Sequence, residues 1–378
     1  MMQFPIKENK LRLAVLFLWF AIQAILWWKN GIVIDGEAEK YISEAHTFLE
    51  IGSVSSSNFW LYIIQIILIA FSIKFNLSFV FVVVIQLLVN LFSVAAVYYF
   101  IRSLFNTKLA FIIVILLLLN YPLQQFNTFL QTESLFYSFI TIYSCYLLHI
   151  KKIGLKEILI ICFSLLLISV TRPTGLLFIP PTFLYLFFRF FTNIPVLYKT
   201  SLVILTSLLF LFILNFALGS GGELDFMLPF RDERIICGVP TVKSFLPIET
   251  SEDGNSLYGL AYYIANNFDQ FSRLALIRAL TFFKLFRPYF STGHNIYLII
   301  FFFPIYLSVL FSLRHWLKNN AYFLLYCISI IFMVLLTVML TCDDWHNRFF
   351  LTITPFLNFL SLPFILKILN KFHLNDNH

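Results

Sequence analysis

Apolar residues run along this chain in long blocks, Phe79–Val89 and Leu109–Leu119 among them. That pattern leaves few folds open. Only 12% of the 378 residues are charged, against roughly 25% in an average soluble domain, and the mean hydropathy is +0.87. So small a charged complement cannot coat a water-facing surface of this size, which excludes a soluble globular enzyme. The same apolar content excludes a disordered chain. A transmembrane β-barrel needs segments of about 10 residues with alternating polarity, and these blocks do not alternate. The chain reads as an all-α polytopic membrane protein.

A span takes about 20 apolar residues, within a range of roughly 17–25. The stretches 11–28, 77–101, 108–121, 133–149, 157–171, 174–191, 199–219, 296–313, 321–341 and 349–367 qualify, which predicts about ten transmembrane helices. Lys29-Asn30-Gly31 follows the first of them where a signal peptide would carry a small-residue cleavage site, so that span is an anchor. Phe59–Phe75 is apolar enough to cross but short, and it follows the polar run Ser53–Asn58.

Charge decides its placement. With a cytoplasmic N-terminus and 59–75 lying in the interface, Arg102, Lys108, Lys151, Lys152, Lys156, Arg189, Lys199, Arg314, Lys318, Lys367 and Lys371 join Lys7, Lys10 and Arg12 on the cytoplasmic side. Only Glu8, Glu157 and Asp376 oppose them there, as the positive-inside rule requires. If 59–75 crossed, Lys151-Lys152 and Arg314/Lys318 would move outside.

Three regions follow from this placement. An N-terminal transmembrane region covers 1–219, and its first outer loop (30–76) carries an acidic motif. An extracytoplasmic loop covers 220–294, and C-terminal transmembrane helices cover 295–378. The protein is expected in the plasma (inner) membrane, in contact with membrane lipids. Its net charge of +7 reports cytoplasmic loops and not nucleic-acid binding. Cys145, Cys162 and Cys327 lie in apolar blocks. Cys237 and Cys342 are expected as free thiols, since no spacing signature pairs them.

Nearly all the acidic residues and every polar cluster with chemical potential fall on the outer face. In the first loop, Asp35 suits the N-cap of a helix starting near Gly36, with Glu37 and Glu39 favouring its positive end. The same spacing sets Glu37 and Tyr41 one turn apart, so carboxylates line a short juxtamembrane helix and suit general-base work on a hydroxyl.

Glu133 opens a span, where an acid either stabilises the helix N-terminus or acts as a functional group at the membrane boundary. Arg172, in Thr171-Arg172-Pro173-Thr174-Gly175, sits on the side where cations are disfavoured, and a planar guanidinium suits a phosphate. In the last outer turn, Arg348 and His346 are candidate partners for a phosphate or for Glu133. Asp343 and Asp344 admit a divalent metal with ligands from elsewhere, though such clusters are mostly solvated turns; no other cofactor is implied. In the long loop, Arg273–Arg287 reads as an interfacial amphipathic helix with Asp269, Arg273, Lys284 and Arg287 on one arc and Arg278 off it.

The order of these features resembles the GT-C superfamily of membrane glycosyltransferases, which includes the protein mannosyltransferase and aminoarabinose transferase groups. The likeness runs from Asp35 to Pro363. It comprises the acidic first loop ending in Tyr41 and Ala45, then Thr132-Glu133, Arg172-Pro173-Thr174-Gly175, Phe286-Arg287-Pro288-Tyr289, and Arg348 opening a span that contains Pro355. One departure concerns the first loop. Where the family places an acid four residues before the Tyr, this chain has Glu37, with Asp35 and Glu39 beside it.

The resemblance implies inverting transfer of a sugar from a polyprenyl-phosphate donor to the hydroxyl of a lipid, glycan or protein acceptor on the extracytoplasmic face. Asp35, Glu37 and Glu133 would be catalytic, and Tyr41, Arg172, Arg287, His346 and Arg348 would bind substrate. Two other classes stand beside this one. A polysaccharide polymerase leans on Arg-rich outer loops, whereas this outer face is net acidic. A non-catalytic flippase or transporter needs ionisable residues in mid-span, and these spans carry almost none.

Overall fold

The long apolar blocks fold as helices, because in apolar surroundings a helix satisfies its own backbone hydrogen bonds. The computed structural model describes residues 5–190, 195–219, 227–239, 248–250 and 254–375. Asp376 and the stretches 220–226, 240–247 and 251–253 of the long outer loop lie outside the described residues. The fold is about 81% helical with no strand among the described residues. The only extended pairings there are two isolated bridges, Val33 with Phe129 and Ile236 with Asp343.

In chain order the helices begin with α1 (Pro5–Asn30), α2 (Glu37–Ile51), α3 (Ile63–Lys74), α4 (Val80–Leu104), α5 (Thr107–Leu119) and α6 (Tyr121–Gln124). Next come α7 (Glu133–His149), α8 (Leu155–Ser169), α9 (Ile179–Phe190), α10 (Val196–Gly219) and α11 (Met227–Arg231). The last five are α12 (Leu257–Asn266), α13 (Phe268–Lys284), α14 (Thr292–Asn319), α15 (Ala321–Leu340) and α16 (Arg348–Asn375). Short 3-10 turns occupy Ser57–Tyr62, Gln125–Thr128 and Pro173–Phe178.

The chain divides into two compact units. One comprises Met1–Leu176, Pro304–Asn320 and Pro355–His378, the other Leu177–Phe303 and Ala321–Thr354. In the first, α4 packs against α5 and α7, α7 against α8, and α2 against α3. α2 shows why it lies there: Ala38, Tyr41 and Ala45 recur on one face and are buried among Ile66, Ile69, Val82, Val83 and Leu130, while Glu39 points outward. In the second unit α15 packs against α9 and α13, and α12 lies on α10 and α13.

Pro363 lies inside α16. A proline ring there crowds the preceding turn and withdraws one donor, and α14 repairs the break. Phe364 N–H donates to Ser312 Oγ at 3.0 Å, and Trp316 Nε1 donates to the Leu360 carbonyl at 2.9 Å. Neighbouring helices commonly supply partners in this way where a proline frees backbone groups.

Six helical stretches among the described residues are long and apolar enough to cross a membrane: Asn9–Asn30, Ser57–Lys74, Val80–Leu104, Thr292–Asn319, Ala321–Leu340 and Arg348–Lys371. A seventh arises if Thr107–Leu119 and Tyr121–Thr128, bent by 66°, count as one broken span. About ten spans are therefore not reached by this measure. The stretch expected to lie at the interface passes it as Ser57–Lys74, while α7, α8 and α9 run only 17, 15 and 12 residues. The stretch expected as a span over 174–191 begins as a 3-10 turn, which shortens its helix.

Trp316→Phe keeps an aromatic ring but leaves the Leu360 carbonyl without its side-chain donor. The expected cost is about 1–3 kcal/mol, read as a lowered unfolding midpoint in detergent by fluorescence-detected size exclusion.

Candidate functional site

Within the first unit, four separated segments meet around Tyr41. The chain leaves α1 and pairs with the segment before α7: Val33 N–H donates to the Thr128 carbonyl and Leu130 N–H to the Val33 carbonyl, both at 3.0 Å. Asp35 thus leaves this bridge two residues on from Val33, and Glu133 three residues on from Leu130. Gly36 then turns the chain into α2 with φ of 65°, a left-handed conformation that costs glycine little. The expected Asp35 cap does not form. Gly36 is the cap residue and no side chain bonds to the helix start. Asp35 is exposed, and among the described residues its carboxylate makes no hydrogen bond or ion pair.

Glu37 and Tyr41 lie one turn apart on α2, with the Tyr41 hydroxyl 3.5 Å from Glu37 Oε2. The Tyr41 ring is fully buried and lies 5.5 Å from the Tyr62 ring. The Lys40 ammonium covers both rings, at 5.2 and 5.4 Å from their centroids. Burial pushes the Tyr41 hydroxyl well above its usual pKa; the charges of Glu37 and Glu133 push the same way, and Arg172 opposes them. The phenol therefore stays protonated and serves as a hydrogen-bond donor.

Glu133, the first residue of α7, is completely buried and forms an ion pair with Arg172. The two residues lie 39 positions apart in the chain, so no local pattern announces the pair. Arg172 is brought there by a tight turn. Gly175 N–H donates to the Arg172 carbonyl at 2.8 Å, and a Cβ on Gly175 would lie 2.4 Å from the Ile168 carbonyl oxygen, so only glycine fits. The first turn of α3 adjoins this point, with Ile64 N–H donating to the Val170 carbonyl at 3.5 Å.

Behind Glu133 lies a set of buried amides that the sequence reading passed over. Gln23 donates to Gln124 at 2.8 Å, Asn127 donates to both Gln23 and Gln124, and Ser134 donates to Asn127 at 2.7 Å. Gln86 of α4 donates to the carbonyls of Phe129 and Gln131. Their signal in the sequence is an amide inside an otherwise apolar block.

The second unit gathers the later candidates into a different constellation. Cys237 and Cys342 form a disulfide across 105 residues, correcting the expectation of free thiols. The pairing follows from the Ile236–Asp343 bridge, in which Cys237 N–H donates to the Asp343 carbonyl at 2.7 Å and Asp343 N–H to the Ile235 carbonyl at 2.8 Å. Arg287 does not ride an amphipathic helix. α13 ends at Lys284, Leu285 takes φ of 64°, and the buried Arg287 pairs with buried Asp343 while donating to the Thr281 carbonyl at 2.9 Å. Burial pushes Asp343 up to about 6, against the opposing pull of Arg287.

Of the expected arc, Arg273 pairs with Glu233 at 2.7 Å and Lys284 lies over the Phe286 ring at 4.1 Å. Arg278, off that arc, is buried and donates to the carbonyls of Arg234, Met339 and Pro229. Arg348 opens α16 and pairs with Asp344 at 2.7 Å, and Asp344 Oδ1 also accepts from His346 N–H at 2.8 Å. Each acid of this turn is thus neutralised by an arginine. No group of three or more His, Cys, Asp or Glu among the described residues is placed to hold a metal ion.

Compared with family models, with curated proteins and with solved structures, the chain matches none of them.

Two outcomes follow from this geometry. Arg172→Met leaves Glu133 buried without its counter-charge and is expected to cost about 3–5 kcal/mol; adding Glu133→Gln recovers most of it in a double-mutant cycle of unfolding midpoints. Maleimide labelling of the denatured chain is expected to reach Cys145, Cys162 and Cys327 before reduction and all five cysteines after it.

Proposed function

We propose that the chain is an inverting membrane glycosyltransferase of the GT-C kind, which moves a sugar from a polyprenyl-phosphate donor to an acceptor hydroxyl on the extracytoplasmic face. The observation that carries this reading is the meeting of Glu37, Tyr41, Glu133 and Arg172 from separate parts of the chain. These residues supply the groups such a transfer needs: carboxylates for a proton, a cation for phosphate, and a protonated phenol as donor. The disulfide supports the sidedness, because such bonds persist in oxidising compartments and both its cysteines lie in segments that the charge bias puts outside.

In the proposed step, Asp35, the exposed carboxylate at the start of α2, takes the proton of the acceptor hydroxyl as its oxygen attacks the anomeric carbon. Glu37 is the second choice for this role. The bond from the anomeric carbon to the phosphate oxygen breaks, and its electron pair leaves with the polyprenyl phosphate. Arg172, held in place by Glu133, stabilises that developing charge. One displacement from the far face inverts the anomeric centre. Arg287 and Arg348, already paired with Asp343 and Asp344, hold the outer turn together in this account.

The test is transfer of labelled sugar from a polyprenyl-phosphate donor in membranes containing the full chain. Asp35→Asn is expected to lower kcat by about 10²–10⁴-fold with little change in KM. Arg172→Lys is expected to raise KM for the donor as well as lower kcat. Full turnover in Asp35→Asn, Glu37→Gln and Glu133→Gln alike would remove the carboxylate mechanism.

A further inference from the structure

At the far end of α14 and α16 from their starts, within the first unit, the two helices line a cavity of about 830 Å³. Its apolar wall includes Phe311 and Phe364, whose rings stack at 5.0 Å and 28°. Beyond them Arg314 and Lys318 on α14, and Lys367 and Lys371 on α16, line the same cavity. Each pair is spaced i,i+4 and so presents two cations from one helical face. Among the described residues, none of these four cations pairs with a carboxylate.

The cleft is built and not incidental. Its two walls are joined by the bonds that repair the Pro363 break, from Trp316 to Leu360 and from Phe364 to Ser312. A positive-inside bias alone would scatter cations over separate loops. Here four converge from two helices on one concavity, above an aromatic pair.

We propose that this cleft binds an anionic phospholipid of the surrounding leaflet, with the headgroup phosphate on the four cations and the first acyl segments against Phe311 and Phe364. Basic pockets between membrane helices take such headgroups, and charge complementarity together with the adjoining rings selects a lipid phosphate over a soluble one. The site is independent of sugar transfer and stands or falls separately from it.

The test uses the purified full chain in nanodiscs of zwitterionic lipid, titrated with a fluorescent two-phosphate cardiolipin. Wild type is expected to bind it well above fluorescent phosphatidylcholine. Lys318→Gln/Lys367→Gln, which neutralises two exposed side chains, is expected to bind about thirtyfold more weakly, at roughly one tenfold-scale step or less per charge. Lys151→Gln/Lys152→Gln, on the same expected membrane face but outside the cleft, is expected to bind as wild type does. Size exclusion checks that both variants are folded.

Equal loss in the two double variants would reduce the effect to general surface charge and overturn the proposal. So would undiminished binding in Lys318→Gln/Lys367→Gln, equal affinity for phosphatidylcholine, or displacement of the lipid by millimolar glycerol phosphate, which would mark a site for free phosphate.

Discussion

A polar group taken out of water without a partner costs several kcal/mol, and that constraint organises this structure at every scale. Glu133, at zero exposure, is tolerable because Arg172 stands against it. The Arg172 turn in turn depends on the bare α-carbon of Gly175. The amides of Gln23, Gln124 and Asn127 bond to one another, with Ser134 and the Leu117 carbonyl completing the set, and Gln86 caps the irregular backbone that precedes α7. Where Pro363 breaks a helical ladder, side chains of α14 complete it. Arg278 turns its guanidinium to the carbonyl oxygens of Arg234, Met339 and Pro229.

The same constraint sorts the candidate residues by role. Arg287 and Arg348 are matched to Asp343 and Asp344 in a turn that is further tied by the disulfide and the short bridge. Around Tyr41 the balance differs. Asp35 is exposed, the phenol keeps its proton, and the guanidinium pairs with a fully buried carboxylate. Under the proposed transfer, such preorganised groups would meet the developing charge without rearrangement.

The sequence revealed helices well, because long apolar blocks leave little choice, and it placed the starts of α7 and α16 at Glu133 and Arg348. It also singled out Glu37, Tyr41, Glu133 and Arg172, whose spacing or side of the membrane was unusual. Partnerships were less legible. Arg172 and Glu133 lie 39 residues apart, and Cys237 and Cys342 lie 105 apart, so no local pattern links them. The end of α13 was hidden because Leu285 adopts a backbone angle its side chain does not favour, and helical projection carried Arg287 onto a face it never joins. The Asp35 cap failed for a comparable reason, since a flexible glycine took the position that a cap preference assigns to a short polar side chain.

The brevity of α8 has a consequence for its surroundings. Fifteen residues rise about 22 Å, well short of a hydrocarbon layer of about 30 Å, and Leu155, Leu159, Phe163 and Leu166 form an uncovered greasy stripe along it. A hydrophobic segment shorter than the bilayer is accommodated by local thinning, by snorkelling of flanking residues such as Lys151, Lys152 and Lys156, or by association with other helices.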